Sequence, residues 1–179
     1  MIADYGVLTM NDSSTLVITV STLHNFSLYC DLNCFIIIPQ NSSLSFQSTL
    51  SLDSKGDLII QNFGNLVFTI DKEVFVGPNV VIQSFNSIEF AQFDYNVIIP
   101  KLYLEGDLFT PMYFTALRLR INHFEWSRGT IMGNIHLLQS LAVNSEETYY
   151  KGYVYLLSVP IVESSFALVD HTSLQIPPQ

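Results

Sequence analysis

Short apolar runs rich in β-branched and aromatic residues recur along the whole chain, each bounded by Gly, Asn, Asp, Ser or Pro. Leu16-Val17-Ile18-Thr19-Val20, Phe35-Ile36-Ile37-Ile38 and Leu66-Val67-Phe68-Thr69-Ile70 are typical. Such runs predict β-strands, and the residues between them are the ones that turn a chain. No segment sustains apolar residues at i, i+3, i+4 and i+7, the period of a buried helix face. The best helical stretch, 137–147, contains Asn144 and Ser145 and has no good capping residue. The expected class is all-β.

The spacing of the runs separates two all-β architectures. From residue 58 to residue 104 they begin at 58, 66, 74, 80, 88, 97 and 102, and many are only three residues long. Sandwiches built on hairpins have strands of about five to six residues and turn signals every ~8–12. The Asn-Gly and Asp-Gly dipeptides of tight hairpins are absent. Short strands joined by tight corners suit a β-solenoid, in which each coil of roughly 20–25 residues carries three strands and coils stack in register. A parallel β-helix-like solenoid of short stacked coils is the expected fold, with a β-sandwich or jelly roll as the alternative. The chain is then a single β domain over 1–179, with an irregular or capping N-terminal part over 1–45 and solenoid coils over about 46–170. Lys55-Gly56-Asp57-Leu58 recurs as Glu105-Gly106-Asp107-Leu108, which predicts equivalent corners two coils apart. Asn65, Asn79 and Asn96 each stand at a strand entrance, where Asn tolerates left-handed backbone and can stack as a ladder.

Composition narrows the partners. Apolar residues make up 49% of the chain, enough for a sizeable core, whereas charged residues are only 13%, about half the usual share. Polarity comes from Ser, Thr, Asn and Gln, which fits a surface covered by neighbours or glycans. Seven basic residues against sixteen acidic ones give a formal charge of −9, and the only local basic cluster is Arg118, Arg120 and Arg128. Nucleic-acid surfaces need clustered Lys and Arg, so no nucleic-acid partner is expected, nor an anionic membrane surface. No run of 18 apolar residues is present, so no membrane-spanning helix is expected. Met1 to Met10 lacks a basic region followed by an apolar core, so a secreted chain would be a mature form or a piece of a longer one.

Cys30 and Cys34 flank Asp31-Leu32-Asn33. Four residues of extended strand span about 13 Å, beyond the roughly 7 Å that a disulfide tolerates. Asp and Asn form turns, however, and a tight turn would bring the sulfurs together. A small disulfide-closed loop is the preferred expectation; two buried thiols, or a zinc site completed by His24, are the alternatives. Asn11, Asn25 and Asn41 head N-x-S sequons and are candidate glycosylation sites. With the cysteine pair they point to an extracellular or cell-surface setting.

Catalytic signals are sparse. His24, His123, His136 and His171 are scattered with no metal-site spacing, and the phosphate-loop, nucleophile-elbow and dinucleotide fingerprints are absent. No cofactor is implied. Asp53, Asp57, Asp71, Glu73, Asp94, Glu105 and Asp107 could supply the carboxylates of a polysaccharide-cleaving groove, yet Asp beside Gly commonly caps a turn. Trp126 and the tyrosines Tyr149, Tyr150, Tyr153 and Tyr155 are candidate glycan or subunit contacts, because such rings are apolar with a polar tip.

Phe124-Glu125-Trp126-Ser127-Arg128-Gly129-Thr130-Ile131-Met132-Gly133-Asn134-Ile135 resembles a pattern of secreted parallel β-helix repeat proteins of cell surfaces, in which an aromatic-x-Trp strand leads into a Gly-Thr-Ile corner. The resemblance covers about residues 102–143 and departs elsewhere, with eight glycines in all and a less regular period before residue 50. It implies a solenoid with a surface or fibre role and carries over no catalytic residue. The function expected is a non-enzymatic structural subunit of an extracellular filament or cell-surface coat, with copies of itself or other coat subunits as partners. A glycan-binding adhesin or lectin-like module and a polysaccharide lyase or hydrolase fragment are the alternatives.

Overall fold

The computed structural model describes the backbone of residues 2–11, 13–93, 97–110, 119–127, 129–143, 148–156, 165–168 and 174–175, and side chains at 7–11, 13–19, 21–91, 97–110, 119–127, 129 and 131. In chain order the strands are β1 (Ile2–Met10), β2 (Thr15–Val17), β3 (Val20–Cys30), β4 (Cys34–Ile38), β5 (Ser43–Ser54), β6 (Leu58–Asn62), β7 (Asn65–Ile70), β8 (Val74–Val76) and β9 (Val80–Ser84). They continue as β10 (Ser87–Phe93), β11 (Val97–Leu104), β12 (Asp107–Phe109), β13 (Leu119–Trp126), β14 (Gly129–Val143), β15 (Thr148–Leu156), β16 (Ser165–Leu168) and β17 (Leu174–Gln175).

These strands pair in parallel. Each segment pairs with the segments one coil before and after it, which makes the fold an all-β solenoid and sets aside the sandwich alternative. Between Val20 and Trp126 the chain makes about five turns, with further described strands stacked on either side. Each coil has three faces. The first carries Leu44, Leu66, Ile88 and Leu108 in one inward column and Leu23, Phe46, Phe68 and Phe90 in the next. The second carries Leu8, Leu28, Leu52 and Val76. The third carries Leu16, Ile36, Ile60, Ile82, Leu102 and Phe124.

Alternation within each short strand produces this core. In β4 and β6 every second residue is buried, because successive side chains of a strand point to opposite faces. Parallel register then stacks like on like. Phe46 and Phe68 rings lie 5.5 Å apart and Phe68 and Phe90 rings 4.8 Å apart, within the range at which aromatic pairs add ~0.5–1.5 kcal/mol beyond burial.

Corners are made by residues that accept unusual backbone. Asn25 (φ 48) and Ser48 (φ 70) sit inside β3 and β5, and the pairing shifts register between His24 and Phe26. One left-handed residue thus bends a strand from the first face to the second without ending it. Thr49 Oγ1 donates to Asn25 Oδ1 at 3.1 Å, tying the two bends together. Between the third and first faces the coils approach closely: a Cβ on Gly106 would lie 1.8 Å from the Asn86 carbonyl oxygen, and one on Gly129 would lie 2.0 Å from that of Gly106.

Within the stretch 1–45, β1 pairs with β3 from Ile2 onward and β3 with β5 from Val20. Two sequence expectations need correction. Asp57 and Asp107 are not at equivalent corners. Asp57 precedes β6 on the third face, whereas Asp107 opens β12 on the first, opposite Ser87. Asn65 and Asn79 likewise enter different faces, and Asn96 lies outside the described residues.

Candidate functional site: the N-terminal edge and the disulfide corner

The first coil differs from those behind it. Among the described residues β1 pairs only with β3, and β2 only with β4, so one side of each strand has backbone N–H and C=O groups without a ladder partner. The core columns are also left open there. Leu8 and Leu16 are partly buried, while the residues behind them in the same columns, Leu28 (2%), Leu52 (0%), Ile36 (1%) and Ile60 (0%), are sealed. Val7 (84% exposed) and Val17 (56%) point outward from this coil.

Beside the edge lies the cysteine pair. Cys30 closes the second face and Cys34 opens the third, and their sulfurs are bonded with Cα atoms 6.1 Å apart. The Asp31-Leu32-Asn33 turn brings them together, and the free-thiol and zinc alternatives give way. Both cysteines are completely buried. From the first coil, the Met10 carbonyl oxygen lies 3.9 Å and that of Asn11 3.4 Å from Cys34 Sγ; these are packing contacts, since a disulfide sulfur has no proton to donate. From the third coil, Ser54 Oγ donates to the Leu32 carbonyl at 3.0 Å. Lys55 Nζ donates to Asp31 Oδ1 at 2.7 Å and lies 5.9 Å from the Tyr29 ring centroid. The Asp31 hydrogen bond, helped by Tyr29, holds the Lys55 amine above its ordinary pKa.

The sequons occupy three different corners. Asn11 and Asn41 are exposed, the latter with φ 63. Asn25 is half-buried, its carboxamide oxygen engaged by Thr49. Trp126 is a core residue: it is 3% exposed, lies in the column of Leu104, and its ring plane is parallel to that of Phe124. A ring buried to that extent offers no face to a sugar or a partner, which corrects the expectation for this position. Tyr149, Tyr150, Tyr153 and Tyr155 belong to β15, beside Thr130, Ile131, Asn134 and His136 of β14; their side chains lie outside the described residues. Asp94, His171 and Arg128 also lie outside them. His24 and His123 stand on different faces, and among the described residues no three His, Cys, Asp or Glu side chains form a group able to hold a metal ion.

Two surface arrangements were not anticipated from sequence. Phe63 (40% exposed) stacks on Phe85 at 4.8 Å with planes 7° apart, at the corner between the third and first faces. Beside them Gln61 Nε2 donates to Gln83 Oε1 at 3.0 Å, and Ser87 Oγ donates to Asn65 Oδ1 at 2.7 Å. The signal was present: Ile60-Gln61-Asn62-Phe63 recurs one coil later as Ile82-Gln83-Ser84-Phe85. These rings stack along the solenoid axis and so turn their edges outward, a poor geometry for a sugar that packs on a ring face. No protein-family model, no curated protein and no solved structure matches this chain.

Proposed function

We propose that this solenoid is a structural module of an extracellular filament or cell-surface coat, assembling through β-edge contacts with another copy of the chain or with a second coat subunit. The observation that carries this reading is that, among the described residues, β1 and β2 are paired on one side only, with Leu8 and Leu16 beside them partly buried. A parallel coil docked against them would gain a row of backbone hydrogen bonds and bury both leucines further. The low charge, the hydroxyl- and amide-rich outer faces and the cysteine bridge support an extracellular setting.

Light scattering over a concentration series, with negative-stain electron microscopy, tests the proposal. The purified chain should form concentration-dependent oligomers or filaments, and Leu8→Lys combined with Leu16→Lys should return it to monomer. A monomer at every concentration would overturn the assembly reading and give priority to a glycan-binding screen.

A further inference from the structure

The outer sides of the solenoid faces are not alike. On the first face the outward column Ser43, Asn65, Ser87 and Asp107 is polar throughout. On the third face two outward columns run side by side, two residues apart in each strand. One is Thr15, Phe35, Ile59, Val81, Lys101 and His123; the other is Val17, Ile37, Gln61, Gln83, Tyr103 and Glu125. Alternation in β4 and β6 turns Phe35, Ile37 and Ile59 away from the core columns, and all three stay half-buried. Val17 (56%) and Tyr103 (39%) are exposed, while Val81, though outward, is only 8% exposed. From Thr15 to Gln83 neither column carries a charge, in a chain whose formal charge is −9.

Contiguous outward apolar side chains mark contact surfaces. Two copies of an acidic chain repel one another, so they approach most readily through a face poor in acidic groups. The order of residues also selects the approach. A two-fold axis running along the solenoid, between the two columns, sets each coil against the same coil of a second copy and exchanges the columns. Phe35 then meets the second copy's Ile37, Lys101 its Tyr103, and His123 its Glu125. Apolar groups lie on apolar groups, an ammonium meets an aromatic ring, and an imidazole meets a carboxylate. Antiparallel axes would instead carry Lys101 and His123 onto the apolar part of the face, where a charge has no partner.

We propose that the outer side of the third face is a lateral pairing surface for the same face of a second copy, with the solenoid axes parallel and Phe35, Ile37 and Ile59 as its apolar part. Strands about 17 Å long, stacked to about 24 Å between Thr15 and His123, offer on the order of 400 Å². That is about half of the ~800 Å² per partner in a stable interface, so two single chains pair weakly. Chains joined end to end would repeat the face along the stack and hold it by several contacts at once. The strength of pairing in an assembly therefore rests on the end-to-end reading, whereas the geometry of the face does not.

Oxidative crosslinking tests that geometry. A chain with Ile59→Cys and a chain with Gln61→Cys, both outward positions, are mixed at high concentration and oxidised with copper phenanthroline; Cys30 and Cys34 are already bonded to each other and offer no thiol. The mixture should yield at least about threefold more disulfide dimer than either variant alone, because the two-fold axis sets residue 59 against residue 61. Ile37→Lys added to both chains should return the yield to that of a Glu89→Cys control, an exposed position on the first face, with circular dichroism unchanged. Equal yields from the mixture and the single variants, or a yield that survives Ile37→Lys, would overturn the pairing. Filaments without the selective crosslink sink the face and leave edge assembly standing; the selective crosslink in a solution without filaments does the reverse.

Discussion

The first coil and the coil two behind it use the same alphabet and reach different states. Leu52 and Ile60 are completely buried, whereas Leu8 and Leu16, at the same column positions, are not. Nothing in the local sequence of Leu8 or Leu16 accounts for this. Among the described residues their coil has a paired coil on one side only. In this fold burial depends on the stack as well as on the local sequence.

The sharpest way to break that comparison is to truncate an inward side chain at each of the two levels. Phe68→Ala empties the middle of the Phe46–Phe68–Phe90 stack and should cost ~3–5 kcal/mol. Leu8→Ala should cost about 1 kcal/mol or less, because much of that side chain already meets water. Urea denaturation monitored by circular dichroism would measure both, and equal losses would mean that the end coil is packed as tightly as the interior. Next in size is Gly106→Ala, which drives a Cβ against the Asn86 carbonyl and should cost ~1–3 kcal/mol through overpacking. Cys30→Ser with Cys34→Ser should cost about 2 kcal/mol by the loop-entropy estimate for so short a loop, a loss visible as a lower thermal midpoint. Smallest is Lys55→Met. Its amine is raised above 10.5 chiefly by Asp31, so the stabilisation is present below that value and fades as pH rises through the raised one. Both partners are well exposed, so the variant's thermal midpoint should match the parent's at neutral pH.

How far the sequence carries depends on which residues are asked. Three short strands per coil could be read from the alternation in segments such as Leu58-Ile59-Ile60, because period two survives whatever the coil is stacked against. The disulfide could be read from two turn-forming residues between two cysteines. The coil register could not be read from Gly-Asp-Leu, since glycine followed by a polar residue serves every corner of the solenoid alike. The informative repeat was the longer, less exact one that places Phe63 over Phe85. Trp126 was misjudged because a large ring with a polar tip suits an interface and a core equally, and only the column shared with Leu104 decides. Asn62 was invisible for a related reason: it is fully buried, donating to Ser84 Oγ at 3.0 Å and to the Ser87 carbonyl at 2.7 Å. Its partners come from the next coil, and its Oδ1 meets no donor among the described residues because Ile38 lies on the other side.

Parallel stacking also sets how such a body answers to force. The hydrogen bonds between coils run along the solenoid axis, so tension applied along that axis meets them a coil at a time and not as a sheared array. Each coil that detaches contributes a stack rise of about 4.8 Å when folded and roughly 70 Å when its chain is drawn out. The molecule under tension would lengthen in discrete steps and would dissipate work at each step while the remaining coils stayed intact.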